Sequence, residues 1–479
     1  MADTIIDNIA SCPAPAELFG AIVNSPYPFF LDSSLYDKRL GRRSFLGCEP
    51  FLLFKSKGDS IHLEWEDGKK ESFKRNPFAA LRDIFKRYAR GGSAKELPFT
   101  SGGVGYFSYD MKDFVEALPD RASDDLGLPD CAMGFYDTVV IYDHLKNTAH
   151  IASSGLPYGG ARAHRRRAGR MEGLKDRIRD GIRTAKEDRG GGLNLYCDRS
   201  AVCARADLPK SNISKSGYIE AVKKAKEYIK KGDIYQVNLS QRFESDIFIE
   251  PSDLYLKLRA VSPAPFAAYL GFGDFAVLSS SPERFLLKKG RYIETRPIKG
   301  TRPRGRTAKS DLALEGELKH SVKDNAEHVM IVDLERNDLG RICDYGSVKL
   351  REPPVVEKYT NVSHLVSTVS GKLKKDVDAI DCLLAAFPGG SITGAPKVRS
   401  MEIIEELEPV KRSVYTGAAG YISFDGNMDT SVVIRTLVVK GRRAYFSVGG
   451  GIVADSDPEL EYQETLDKAA GIMEALGEI

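Results

Sequence analysis

Carboxylates recur at helical spacing in two parts of the chain. Asp324 and Glu327 stand three residues apart, and Glu461, Glu464 and Lys468 follow one another at i, i+3 and i+7, so each set shares one helix face. Ser321-Val322-Lys323-Asp324 supplies a hydroxyl cap with an acid three positions on, and Asp457-Pro458 supplies a carboxylate cap with proline in the first turn. Both patterns start helices. Two such acidic faces, if they converge, suit Mg²⁺, which prefers oxygen ligands and completes its shell with water and substrate oxygens. Each face taken alone fits an ordinary solvated helix surface just as well.

A lysine and a glutamate are the candidate reacting groups. Pro297-Ile298-Lys299-Gly300-Thr301-Arg302-Pro303 sets Lys299 in a segment punctuated by proline and glycine. Its amine is a nucleophile only when neutral, so burial or nearby cations must lower its pKa. Arg296 and Arg302 are close in sequence and available for that. Ser281-Pro282-Glu283-Arg284-Phe285 ends an apolar strand with a carboxyl, which would serve as a general acid if its pKa were raised. A surface lysine and a salt-bridged glutamate are the plainer alternatives. Two glycine-rich turns could receive an anionic group. Pro388-Gly389-Gly390-Ser391-Ile392-Thr393-Gly394-Ala395-Pro396-Lys397 runs into a helix with Met401, Ile404 and Leu407 on one side and Pro396 in its first turn. Backbone N–H groups and the Thr393 hydroxyl would face an anion there. Ala-Pro-Lys after Gly394 is not a Walker A ending, so a carboxylate suits the turn better than a nucleotide. Gly449-Gly450-Gly451 follows a strand and allows close backbone approach. A plain turn is the alternative for both.

The elements that must position these groups are mixed strands and helices. Residues 1–157 read as strands and turns, with Phe51-Leu52-Leu53-Phe54, Val139-Val140-Ile141-Tyr142 and a turn at Ser101-Gly102-Gly103 feeding a strand. Residues 158–213 form a basic segment containing His164-Arg165-Arg166-Arg167 and Gly190-Gly191-Gly192, which reads as a solvated helical linker. Residues 214–479 hold the candidate chemistry and open with a helix, with Tyr218, Val222, Ala225 and Ile229 on one face and Gly232 as its stop. The lack of regular βαβ alternation favours an α+β body on mainly antiparallel sheets.

Composition narrows the class. At 479 residues, 42% hydrophobic and 29% charged, the chain is that of a soluble protein with one large body or two domains. No apolar stretch is long enough to span a bilayer, and Met1-Ala2-Asp3-Thr4 does not open a secretion signal, so a cytoplasmic location without membrane contact is expected. The net charge of +3 leaves no nucleic-acid footprint. The seven scattered cysteines, with Cys197 and Cys203 the closest pair, read as reduced thiols.

The ordered motifs resemble the chorismate-utilising family, which includes anthranilate, aminodeoxychorismate, isochorismate and salicylate synthases. They are D-I-Y-Q-V-N-L-S-Q-R-F (233–243), S-P-E-R-F (281–285), R-P-I-K-G-T-R-P-R-G (296–305), A-E-H-V-M-I-V-D-L-E-R-N-D-L-G-R (326–341), G-G-S-I-T-G-A-P-K (389–397) and G-G-G-I-V-A-D-S-D-P-E (449–459). The resemblance implies two large, mainly antiparallel sheets packed face to face and flanked by helices, with the active site in a cleft. It implies that Glu327 and Glu464 ligate Mg²⁺, supported by Asp324 and Glu461 through water, and that the metal holds the ring carboxylate of chorismate. It assigns the pyruvyl carboxylate to Tyr415, Arg435 and the backbone of Gly449, Gly450 and Gly451, and further substrate contacts to Thr301 and Thr393. It sets His364 beside the departing oxygen, Glu283 as the acid that protonates the C4 hydroxyl, and Lys468 near the metal carboxylates.

Two positions sort the family. Gln236 stands where the water-using members carry a lysine base, and Lys299 falls in P-I-K-G-T, the form of the aminodeoxychorismate synthases, where anthranilate synthases have alanine. The resemblance therefore implies amination of chorismate at C4, toward 4-aminobenzoate and folate, with anthranilate synthase component I as the alternative. No cysteine shows a glutaminase signature, so ammonia is expected from a separate glutamine amidotransferase subunit. Ser33, Ser34 and Arg43, in L-D-S-S and G-R-R-S-F, resemble loosely the family's tryptophan-pocket region, and a core strand and turn account for them equally.

Overall fold

The computed structural model describes residues 4–9, 12–37, 39–91, 97–188, 209–305, 307–359 and 362–477. Cys197, Cys203 and the glycines at 190–192 lie outside the described residues.

Alternating runs of β-branched and aromatic residues fold into two twelve-stranded sheets whose paired strands run antiparallel. In the first sheet, Phe29–Asp32 lies beside Phe266–Gly271, followed by Phe275–Ser281, Thr436–Lys440, Arg443–Ile452 and Gln236–Asp246. In the second, Gly102–Phe107 joins Ala418–Ser423, and the far edge is built from Arg284–Lys289, Tyr292–Thr295, Val362–Lys372 and Ile298–Pro303. Each sheet thus takes strands from both sides of the basic segment 158–213.

The sheets pack face to face through a shared apolar layer. Phe45, Val139, Leu270 and Val277 of the first sheet meet Leu53, Val104, Tyr106 and Tyr421 of the second. Aromatic rings cross the interface, with Phe45 and Tyr421 centroids 5.4 Å apart. Helices cover the outer faces. Leu254 and Leu258 of Pro251–Val261 join Ala469 and Ile472 of Pro458–Leu476 against the first sheet. Leu383 and Ala386 of Ala379–Ala386 pack with Ile403 and Ile404 of Lys397–Leu407 and with Phe285 and Leu286 of the second.

The basic segment is not solvated all round. Gly160–Asp188 is a helix that buries Ala163, Arg167, Met171, Leu174 and Ile178. Its outward cations are partly spent on internal acids: Arg166 pairs with Asp137 at 2.7 Å and Glu66 at 2.6 Å, and Arg170 with Glu49 at 2.7 Å. The burial of one stripe makes this helix part of the body, a tertiary contact that local charge does not announce. Among the described residues, no helix is long and apolar enough to cross a membrane.

Candidate active site

Both acidic helices start where their caps predict. Ser321 Oγ accepts the Asp324 N–H at 3.2 Å to open Val322–Gly340, and Asp457 Oδ1 accepts the N–H groups of Glu459 and Leu460 at 3.0 Å to open Pro458–Leu476. The helices bring their glutamates to a common region. Glu461 acts electrostatically on Glu327, and the Lys299 ammonium acts on both Glu327 and Glu464. Glu464 pairs with Lys468 at 2.7 Å, and this cation, one turn on, holds its carboxyl below the usual range. Burial raises Glu327 and Glu461. Asp324 is turned to Arg302 at 2.9 Å.

The triglycine lies at the end of the strand Arg443–Ile452, which faces these acids. A Cβ on Gly450 would come within 3.2 Å of Glu461 Oε2 and 3.7 Å of Glu464 Oε1. Lys468 Nζ donates to the Gly449 carbonyl at 2.9 Å. A Cβ on Gly451 would strike Gln236 Nε2 at 2.1 Å. Gln236 is fully buried, and its amide has no hydrogen-bond partner among the described residues.

Lys299 comes from the strand Ile298–Pro303, whose register against Val362–Lys372 breaks between Lys299 and Thr301. Gly300 makes the bulge with φ of 70° and lies against Leu318 and Asp324, a conformation that favours glycine. Burial lowers the Lys299 pKa, opposed by Glu327, Glu283 and Glu464, and Lys468 is the cation that lowers it further. Arg296 and Arg302, the cations expected from their sequence proximity, instead bind Glu352, Glu357, Glu317 and Asp324. The effective cation was therefore a tertiary neighbour.

Glu283 is 4% exposed and accepts Ser391 Oγ on Oε1 at 2.6 Å. Burial pushes its pKa up to about 7, with Ser391, Lys299, the Ile298 N–H and Arg435 pulling the other way. A carboxyl with that proton affinity is a competent acid near neutrality. His364 accepts Arg435 Nη2 on Nε2 at 3.1 Å and faces Thr301 Oγ1 through Nδ1 at 3.0 Å. Its pKa falls to about 3 through burial and then Arg435, so it stays neutral with its proton on Nδ1. Arg435 holds φ of 51°, in the left-handed region, at the turn that aims its guanidinium. Tyr415 keeps its phenolic proton because burial raises its pKa, and Arg412 lies 6.0 Å from its ring centroid.

Several expected contacts differ. The Thr393 hydroxyl donates to the Gly389 carbonyl at 3.0 Å, within its own loop. The Gly390 N–H goes to the buried carboxyl of Glu335 at 3.0 Å, so an internal acid takes a donor assigned to a ligand. Pro396 sits at the cap position, before the first helical residue, Lys397. Ser391 and Glu335 escaped the sequence reading, although both lie within the motifs quoted for the family. Ser33 Oγ donates to the Arg43 carbonyl at 2.8 Å, Ser34 Oγ to the Ala264 carbonyl at 3.0 Å, and Arg43 lies 3.5 Å from Asp143. Arg43 belongs to the first sheet, and Ser33 and Ser34 follow its strand Phe29–Asp32, against Ala264 and Pro265 just before the strand Phe266–Gly271.

The donor set fits Mg²⁺ in part. Glu461 Oε2 is buried without a hydrogen-bond partner among the described residues, and Glu327 is a half-buried acid near other carboxylates. Among the described residues, no group of three or more His, Cys, Asp or Glu side chains could hold a metal by itself, so water and substrate oxygens would have to complete the shell.

Residues 32–474 match the family described as chorismate binding enzyme. Anthranilate synthase component 1 of Acetivibrio thermocellus is 39% identical over 98% of this chain and 94% of its own. Aminodeoxychorismate synthase component 1 of Escherichia coli strain K12 is 40% identical over 96% of this chain and 95% of its own. The crystal structure of anthranilate synthase component I from Streptococcus pneumoniae TIGR4 superposes with a TM-score of 0.76 at 32% identity, covering 91% of this chain and 93% of that one. With two packed antiparallel sheets, a lysine–glutamate cluster at their edge and this breadth of similarity, the chain belongs to the chorismate-binding enzyme family.

Proposed function

We propose that the chain is the synthase subunit of an aminodeoxychorismate synthase, joining ammonia to C4 of chorismate to form 4-amino-4-deoxychorismate. The observation that carries this reading is Lys299 itself: an amine on a bulged strand, its pKa lowered by burial, in the electrostatic reach of Glu283, Glu327 and Glu464. Neutral Lys299 bonds through Nζ to ring C2, the ring double bonds shift, and the C4 hydroxyl leaves as water with the proton of Glu283. Ammonia then bonds at C4, the C2–N bond breaks to return neutral Lys299, and the new ammonium restores the Glu283 proton. Splitting one substitution into two covalent steps lowers the barrier. Tyr415 and Arg435 orient the pyruvyl carboxylate, and His364, held neutral, keeps Arg435 and Thr301 in place.

Glu327 and Glu464 would hold Mg²⁺, with Glu461 and, by way of water, Asp324 in support. Bound there, the ion would fix and neutralise the ring carboxylate. Ammonia would come from a glutamine amidotransferase subunit, in keeping with relatives that are component 1 of their enzymes; the chain alone would use ammonia and not glutamine. The second reading, anthranilate synthase component I, is supported by the identity to the Acetivibrio thermocellus enzyme. Incubation with chorismate, ammonia and Mg²⁺, with and without an added lyase that releases pyruvate, separates the two. A product that yields 4-aminobenzoate only with the lyase supports the first reading, and lyase-independent anthranilate supports the second.

A further inference from the structure

A buried acid behind the glycine-rich turn has no part in the steps above. Glu335 lies on the helix Val322–Gly340 and is 2% exposed. Its Oε1 accepts the Gly390 N–H at 3.0 Å, while its Oε2 has no hydrogen-bond partner among the described residues. The approach is close: a Cβ on Gly390 would come within 3.1 Å of that Oε1 and 2.6 Å of Leu334. The next residue in the turn is Ser391, whose hydroxyl donates to Glu283 Oε1 at 2.6 Å and whose carbonyl accepts Asn238 Nδ2 at 3.0 Å. Lys397, a cation that acts on Glu335, pairs with Asp338 at 2.5 Å and donates to the Ala386 carbonyl.

We propose that Glu335 is a positioning residue for the general acid: it holds the Gly390 N–H, which seats Ser391 on Oε1 of Glu283 and leaves Oε2 to carry the proton delivered to the substrate. This role rests on the reading of Glu283 as the acid. A protonated carboxyl has one O–H and one carbonyl oxygen. A hydroxyl donating to Oε1 therefore selects Oε2 for the proton. The charged groups facing Glu335 are Asp338, Lys397 and Glu283, and those facing Glu283 are Lys299 and Arg435. Burial and then Asp338 raise the proton affinity of Glu335.

The test uses the full chain with chorismate, ammonia and Mg²⁺, and compares Glu335→Ala, Glu335→Gln, Ser391→Ala and the double alanine variant. Glu335→Ala lowers kcat by about tenfold or more with KM for chorismate little changed, because the proton is no longer well placed for transfer while no substrate contact is lost. Glu335→Gln, which keeps an acceptor for Gly390, recovers most of that loss. Activity falls as pH rises through the Glu283 pKa, and both single alanine variants move this limb upward, since losing the Ser391 bond disfavours ionised Glu283. In the double variant the second substitution costs less than about twofold, because the residues act in series. Losses that multiply independently, or an unmoved high-pH limb in Glu335→Ala, overturn the positioning role. Full activity in Glu283→Gln overturns instead the assignment of the acid, so the two failures are distinguishable.

Discussion

Glu283→Gln should separate the chemical use of this residue from its cost to the fold. The carboxyl is 4% exposed and its pKa stands at about 7 against an ordinary 4.5. The folded state therefore holds the proton more tightly than the unfolded chain, and stability falls as pH rises between those two values. A difference of about 2.5 units corresponds to roughly 3 kcal/mol, nearly all of it lost by pH 8 and less than about 1 kcal/mol lost at pH 5. Glutamine keeps the shape and never ionises. One oxygen becomes an amide, however, and the donors at the site, Ser391 Oγ and the Ile298 N–H, are left with a single oxygen acceptor between them. The expected gain at pH 8 is thus about 1–3 kcal/mol, with little change at pH 5. Chorismate turnover should fall by about 10²–10⁴ in the same protein. Urea midpoints of parent and variant at the two pH values, with kcat measured on the same preparations, test both parts. A stability difference that does not grow with pH would refute the raised proton affinity. Retained turnover would refute the acid role.

Three further outcomes are expected. Lys299→Ala should abolish the covalent enzyme–substrate adduct in intact-mass spectra while leaving slow direct amination; an adduct that persists would show that another residue is the nucleophile. Glu327→Gln and Glu464→Gln should each abolish chorismate turnover, and excess EDTA should do the same to the parent, whereas full activity in EDTA would remove the case for Mg²⁺. Gly449→Ala would bring a Cβ within 2.4 Å of the Leu239 carbonyl oxygen, a backbone atom that cannot rotate away, so a loss of about 1–3 kcal/mol is expected; an unchanged urea midpoint would show that the paired strands separate freely at this point.

Local signals sufficed for the helices that carry the acids. A hydroxyl or carboxylate cap and a run at i, i+3 and i+7 are short-range properties, and Ser321, Asp457, Glu464 and Lys468 take the positions that their spacing predicts. The stop at Gly232, with φ of 82°, is legible for the same reason. The long ordered motifs likewise carried the family and, through it, the two-sheet architecture. Composition alone could not do so, because strands distant in sequence, such as Phe29–Asp32 and Phe266–Gly271, must find each other.

Only the tertiary structure decided which neighbours tune the reacting groups. Arg302 lies three residues from Lys299, yet it pairs with Glu317 and Asp324, while Lys468, from the last helix, is the cation that acts on the amine. The basic segment 158–213 reads as a solvated linker, yet its helix Gly160–Asp188 buries one stripe. The Thr393 hydroxyl and Gly390 N–H turned inward, because a buried turn must satisfy its own polar groups before it can serve a ligand. Spacing along the chain therefore determined which residues share a face of one element. Proton affinities and contact partners were decided by burial and by groups from other elements, since electrostatic interaction follows distance in space and not separation in sequence.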